Sequence, residues 1–225
     1  MAKETGLIFV SESIPRLLDG SKTMTRRVIA PQPELNGQVW TWQAQKGVIC
    51  QWKADDLCPI GNMNIPVDYC PFGGIGDRIW VKEAWACGTH MGQLVKTPKE
   101  LGEDMWVAWK ENYNDDAPAL KQLSWKSPRF MPKKYARIWR EITSVKVERV
   151  QEISKEDAEA EGIKYNPKYG WLIPPCIKYE PFPSYTGSAR LVFRDLWDSR
   201  NAKCGYGWEA NPWVWGIEFK RLSNG

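Results

Sequence analysis

The chain predicts a mixed α+β unit, on three observations. Two short runs, Leu7-Ile8-Phe9-Val10 and Asp77 to Trp85, and a longer one, Arg137 to Val150, carry the continuous or alternating apolar pattern of strands. Three stretches, Ile14 to Leu18, Ser154 to Glu161 and Ser188 to Ser199, carry helical spacing with caps. Between them lie irregular tracts rich in Pro, Gly, Asn and Asp. At 225 residues the chain makes one enlarged domain, 1–225, with insertions at about 36–70, 88–125 and 164–187.

Leu7 to Val10 opens the chain as a short strand. Ile14, Leu17 and Leu18 then give a helix one apolar face, Pro15 suits its first turn, and Gly20 suits the left-handed position past its end. Residues 36–52 alternate loosely through Val39, Thr41, Val48 and Cys50, which predicts a hairpin around Lys46-Gly47, and 53–76 reads as loop. The next strand puts Ile79 and Val81 on one face and Trp80 on the other. From Ala86 to Ser124 only Met105-Trp106-Val107-Ala108-Trp109 reads as a strand. Ile138, Ile142, Val145, Val147 and Val150 then predict one long strand or two short ones.

Ser154 and Asp157 form a capping box, and Ile153 staples onto Ala158. Gly162 ends that helix and leaves Glu161 on its last turn, where the helix dipole disfavours a carboxylate by about 0.3–1 kcal/mol. Such a side chain lies in solvent or has a cationic partner. The last helix lines one face with Val192, Phe193, Leu196 and Trp197.

Composition narrows the classes. A net charge of +4 is too small to establish a polyanion partner. Of the 14 tryptophans most belong in the core, while Trp40, Trp42, Trp52 and Trp171 sit in polar surroundings that suit base stacking. No apolar run approaches the roughly 20 residues of a membrane span. The N-terminus has no signal-peptide pattern, so no membrane partner and a cytoplasmic location are expected. The six cysteines are then free thiols. Cys50, Cys58 and Cys70 would have to furnish any zinc site, but there is no Cys-x-x-Cys pair and His90 stands alone, so neither metal nor cofactor is predicted.

The most informative run is Leu17-Leu18-Asp19-Gly20-Ser21-Lys22-Thr23-Met24-Thr25-Arg26-Arg27. It delivers an amine, a hydroxyl and anion-clamping guanidinia straight from a helix exit turn. Gly20, Lys22, Thr25 and Arg27 resemble the Gly-x-Lys-x-x-Thr-x-Arg signature of the ASCH domain of the PUA-like superfamily. Three further stretches fit in order: Gly76-Asp77-Arg78-Ile79-Trp80-Val81 as the turn into a barrel strand, Ile153 to Gly162 as the second helix, and Val214 to Lys220 as the closing strand. With Pro-Gln-Pro after the arginines and Phe-Arg-Asp-Leu-Trp-Asp before the last strand, the chain is similar to phage and prophage ASCH-like proteins. A phage-encoded protein would work in the host cytoplasm.

The resemblance implies a small PUA-like β-barrel with flanking helices, enlarged by loop insertions. Its cleft is bordered by the Lys-x-x-Thr segment and the end of the second helix. A bacterial member of the family removes acetyl from N(4)-acetylcytidine, and its lysine, threonine and glutamate match Lys22, Thr25 and Glu161. The expected function is therefore an amidohydrolase acting on an N-acylated cytidine or a related modified nucleoside. A desolvated Lys22 acts as base, activating Thr25 or a water, and Glu161 orients the lysine or protonates the leaving amine. Arg27 and Arg26 are expected to bind substrate. Glu83 is counted with them, its plainer alternative being a structural carboxylate paired with an arginine.

A binding function competes. Lys126, Arg129, Lys133, Lys134 and Arg137 interleave with Trp125, Phe130, Tyr135 and Trp139, a composition suited to phosphates and stacked bases of RNA or single-stranded DNA. The plain alternative is a strand edge protected by charge. RNA cleavage, associated with some ASCH-like proteins, ranks third because no histidine pair or metal–carboxylate cluster is apparent. Nothing in the sequence sets the oligomeric state.

Overall fold

The computed structural model describes residues 2–36, 39–43, 49–53, 69–89, 105–112, 123–167, 170–171 and 187–222. The first elements are strand β1 (Glu4–Ile8), helix α1 (Ile14–Leu18) and strands β2 (Met24–Val28), β3 (Glu34–Asn36), β4 (Val39–Gln43) and β5 (Ile49–Lys53). Strands β6 (Arg78–Lys82), β7 (Trp85–Thr89), β8 (Met105–Trp109) and β9 (Trp139–Arg149) follow. Then come helix α2 (Lys155–Ala160), strands β10 (Tyr165–Asn166) and β11 (Gly170–Trp171), helix α3 (Ala189–Asn201) and strand β12 (Trp213–Arg221).

The molecule is α+β, with a mainly β core and few helices. A five-stranded sheet runs β1-β6-β9-β12-β2. Only β1 and β6 run parallel; the other neighbours are antiparallel. β9 settles the choice between one strand and two: it is one strand of 11 residues, with a register shift opposite Glu218/Phe219.

The implied barrel is not closed. Among the described residues no ladder joins the edge strands β1 and β2. A side chain bridges them instead, Arg27 Nη2 donating to the Ile8 carbonyl at 2.6 Å. The physical reason is visible in the gap, which a cavity occupies where a further ladder would lie.

Alternation along β12 gives the sheet two buried faces. Trp213, Trp215, Ile217 and Phe219 join Ile79, Val81, Val145 and Val147 on one side, where Ile14 and Leu17 of α1 also pack. Val214 points to the other side, with Val150, Ile153, Ala158, Val192 and Phe193 beneath α2 and α3. Leu18 is exposed, so the apolar face of α1 is narrower than its spacing predicts.

The hairpin of the first insertion is present as β4 and β5, with β3 added alongside. Its turn at 46–47 and the loop at 54–68 lie outside the described residues, as do most of 88–125 and 164–187. The strand over 105–109 is β8, paired with β7. Two of the proposed base-stacking tryptophans are instead core. Trp42 packs edge-on against Trp215 and Tyr69, and Trp171 packs edge-on against Tyr165. The backbones of Trp40 and Trp52 are paired in the β4–β5 register. Cys70 and Cys87 are buried free thiols and Cys204 is an exposed one; Cys58 and Cys176 lie outside the described residues. Among the described residues no cluster of metal-binding side chains forms, and no helix is long and apolar enough to cross a membrane.

Candidate functional site

The site is built where two chain turns lock together. Asp19 accepts a hydrogen bond from the Ser21 amide (2.8 Å), an Asx turn, while Gly20 takes φ +81°. Lys22 N–H then donates back to the Arg16 carbonyl at 2.9 Å. Helix α2 starts as predicted, with Ser154 Oγ accepting from the Asp157 amide at 3.0 Å. Only this half of the capping box forms, because the Asp157 carboxylate is engaged elsewhere. The helix ends in a Schellman motif: Gly162 N–H donates to Glu159 O at 2.8 Å and Ile163 N–H to Ala158 O at 3.3 Å, with Ala158 and Ile163 both buried.

The carbonyls at the end of α2 have no helical partner of their own. Thr23 N–H satisfies Ala160 O at 2.8 Å, and Lys22 Nζ satisfies Glu161 O at 2.8 Å. Lys22 Nζ also contacts Glu161 Oε2 at 2.5 Å. Glu161 therefore takes the second of the two fates open to it, a cationic partner rather than solvent. Both side chains are almost fully buried, Lys22 at 4% and Glu161 at 6% exposure. Burial pushes the Lys22 amine below its ordinary value; Glu161 opposes that, while Arg200 and Arg27 reinforce it.

Gly162 makes this approach possible. It sits at φ +96°, and a Cβ there would lie 2.8 Å from Arg16 Cδ and 3.4 Å from Lys22 Cβ.

Arg26 organises the charges behind the site. Its side chain is fully buried, with Nη2 2.6 Å from Glu148 Oε1 and 2.5 Å from Asp157 Oδ2, and Nη1 3.6 Å from Glu161 Oε1. Lys146 joins them, 2.6 Å from Asp157 Oδ2 and 3.4 Å from Glu148 Oε2. Gly216 of β12 stands between Arg26 and Lys146 in the register. A Cβ at Gly216 would lie 2.9 Å from Lys146 Cγ, so the missing side chain lets the lysine stem cross β12. Burial alone would raise the Asp157 carboxyl, but Lys146 and Arg26 together hold it below its ordinary value.

These groups border a cavity of about 450 Å³, within the size range of small-molecule sites. Lys22, Thr25, Arg26, Arg27 and Glu161 all line it, so the structure gathers the predicted catalytic set and both arginines into one wall. Thr25 is buried, and its hydroxyl has no hydrogen-bond partner among the described residues. Burial, countered by Glu161 and reinforced by Arg200, brings the Arg27 guanidinium down to about 10, still charged at neutral pH.

Sequence reasoning missed the wall supplied by α3. Phe193, Trp197 and Arg200 lie at i, i+4 and i+7 and line the cavity together. The helical stripe was the signal, but it was read only as core. Lys146 and Glu148, two apart on β9, were also missed.

The other predicted residues lie elsewhere. Glu83 does not line the cavity; it is buried and receives a two-pronged grip from Arg137 (Nε to Oε1 2.9 Å, Nη2 to Oε2 2.7 Å). Arg137 also donates to Asn112 and lies 4.8 Å over Trp109. Lys133 pairs with Glu4, Lys126 contacts Cys87 Sγ at 3.4 Å, and Lys134 lies 4.9 Å over Tyr135. Arg129 stands in a 3-10 turn, Pro128–Phe130. None of the five proposed nucleic-acid contacts borders the cavity.

The chain matches no protein-family model, no curated protein and no solved structure.

Proposed function

We propose that this is an ASCH-like protein of the PUA superfamily that hydrolyses the amide of an N-acylated cytidine or a related modified nucleoside. The carrying observation is the buried Lys22–Glu161 pair on a nucleoside-sized cavity, with the buried Thr25 hydroxyl in the same wall. Burial weakens the hold of Lys22 on its proton, as a general base near neutral pH requires.

The amine bonds Glu161 and not Thr25, which favours a water as nucleophile. Neutral Lys22 takes a proton from that water as its oxygen attacks the acyl carbon. Thr25 hydrogen-bonds the oxygen that gains charge. The carbon–nitrogen bond then breaks, the nucleoside amine takes the proton back from Lys22, and the acyl group leaves as a carboxylic acid. Glu161 orients the amine throughout. Phe193 and Trp197 offer apolar surface to the base.

The test is chromatography of the full chain incubated with N(4)-acetylcytidine and a panel of acylated nucleosides. Release of the free nucleoside supports the proposal; no turnover across the panel overturns it. Nucleic-acid binding without catalysis is a second reading, favoured by Phe130, which is 65% exposed beside Arg129. Its sign would be RNA or single-stranded DNA affinity that falls steeply with salt.

A further inference from the structure

The charges of the site do not balance at the cavity. Lys22, Arg26 and Lys146 face Glu148, Asp157 and Glu161, so behind the wall every carboxylate has a cation. Arg27 and Arg200 stand outside that arrangement. Among the described residues Glu161 is the only acid in the wall, and Lys22 and Arg26 already claim it.

Arg27 is half-buried and makes few contacts for a guanidinium on a cavity wall. Among the described residues it makes one hydrogen bond, to the Ile8 carbonyl, and lies 5.2 Å over the Phe9 ring. Its Nε is buried with no acceptor. Buried donors are nearly always satisfied, so an open one on a cavity wall points to an absent acceptor. Arg200 enters the same cavity from α3 with no ion pair among the described residues, close enough for its charge to act on Arg27 and Lys22. Two guanidinia with no ion pair among the described residues repel each other at this distance unless an anion is shared between them. Planar N–H donors suit a tetrahedral oxyanion, and Asn201 and Ser13 line the same space.

We propose that the cavity takes a phosphorylated nucleoside, with Arg27 and Arg200 forming its phosphate subsite. The nucleoside half rests on the function proposed above; the phosphate half rests on the two arginines. A mononucleotide is the better occupant than a polymer, since the basic 126–137 segment contributes nothing to the wall.

Isothermal titration calorimetry of the full chain decides it, using cytidine, cytidine 3′- and 5′-monophosphates, inorganic phosphate and a 5′-phosphorylated cytidine tetranucleotide. A charged hydrogen bond is worth roughly ten- to a hundredfold in affinity, so one monophosphate should bind at least about tenfold tighter than cytidine. Arg27→Gln and Arg200→Ala should each bring that ratio down to within about threefold of one. Arg200 is exposed at the end of α3, so its variant keeps the test open if Arg27→Gln does not fold. Equal binding of cytidine and both monophosphates, or a ratio unchanged in Arg200→Ala, overturns the phosphate subsite. Inorganic phosphate binding as tightly as the monophosphates overturns the nucleoside half instead. A tetranucleotide preferred over the mononucleotides by more than tenfold assigns the site to a polymer and overturns the proposal as stated. No turnover is measured, so failure of the amidohydrolase reading is read separately.

Discussion

Arg26→Met removes a cation that touches three carboxylates, those of Glu148, Asp157 and Glu161. Its side chain is fully buried within 2.6 Å of Glu148 and Asp157, and Met preserves much of its stem beside Phe193. Breaking a buried pair by deleting one partner costs about 3–5 kcal/mol, because the remaining charge stays desolvated. Lys146 and Lys22 still serve the carboxylates, which places the loss toward the lower end. At about 2–4 °C per kcal/mol for a chain of this size, Tm should fall by roughly 6–20 °C. The pH dependence carries the sign. Asp157 is held below its ordinary value of 3.8 in the folded state, so it contributes stability above that value and loses it as pH falls through its folded value. Part of that contribution comes from Arg26, so the gap between wild type and variant should narrow as the pH drops below 3.8. Urea unfolding across that range measures it. A loss under about 1 kcal/mol, or a gap that does not change with pH, would refute the central role given to Arg26.

Further outcomes follow from the same geometry. Gly162→Ala should destabilise by about 1–3 kcal/mol through its positive φ, and by more than Gly20→Ala, whose Cβ would meet nothing within 4 Å; paired urea titrations separate the two costs. The deacylation rate should rise with pH through a midpoint below 10.5 as Lys22 loses its proton, which a pH–rate profile reads directly. The linked stability has a definite direction. An unfolded lysine binds more protons than buried Lys22 in that window, so stability should rise with pH up to 10.5, and Lys22→Met should flatten that slope in thermal melts. Under the nucleic-acid reading, Lys133→Ala with Lys134→Ala should flatten the plot of log affinity against log salt by roughly 0.7 per lysine for single-stranded RNA; an unchanged slope removes both from any such surface.

What the sequence revealed depended on whether the signal was local. Gly20, Ser154 and Gly162 act through their own turns, and each turn formed where predicted. A cationic partner for Glu161 was legible as one of two possibilities, the other being solvent, because a helix C-terminus disfavours a bare carboxylate. Its identity was not, since Lys22 lies 139 positions away. Arg200 and Lys146 were illegible for a related reason: a charge on an amphipathic element usually faces water alone, and only the packing of α3 and β9 brings Arg200 to the cavity rim and Lys146 to the carboxylates. Glu83 shows the converse. Its place after an apolar strand fitted a site residue but fitted an arginine-paired structural carboxylate slightly better, and Arg137 supplied the pair. The barrel failed on a long-range property, because edge pairing depends on what occupies the space between β1 and β2.

The most direct test of the account sets Lys22→Arg beside wild type with N(4)-acetylcytidine, measuring binding by calorimetry and turnover by chromatography on the same samples. Arginine keeps the positive charge next to Glu161 but does not give up its proton, so binding should survive within about tenfold while turnover disappears. Turnover retained in Lys22→Arg would contradict a catalytic lysine and return the cavity to a binding role alone.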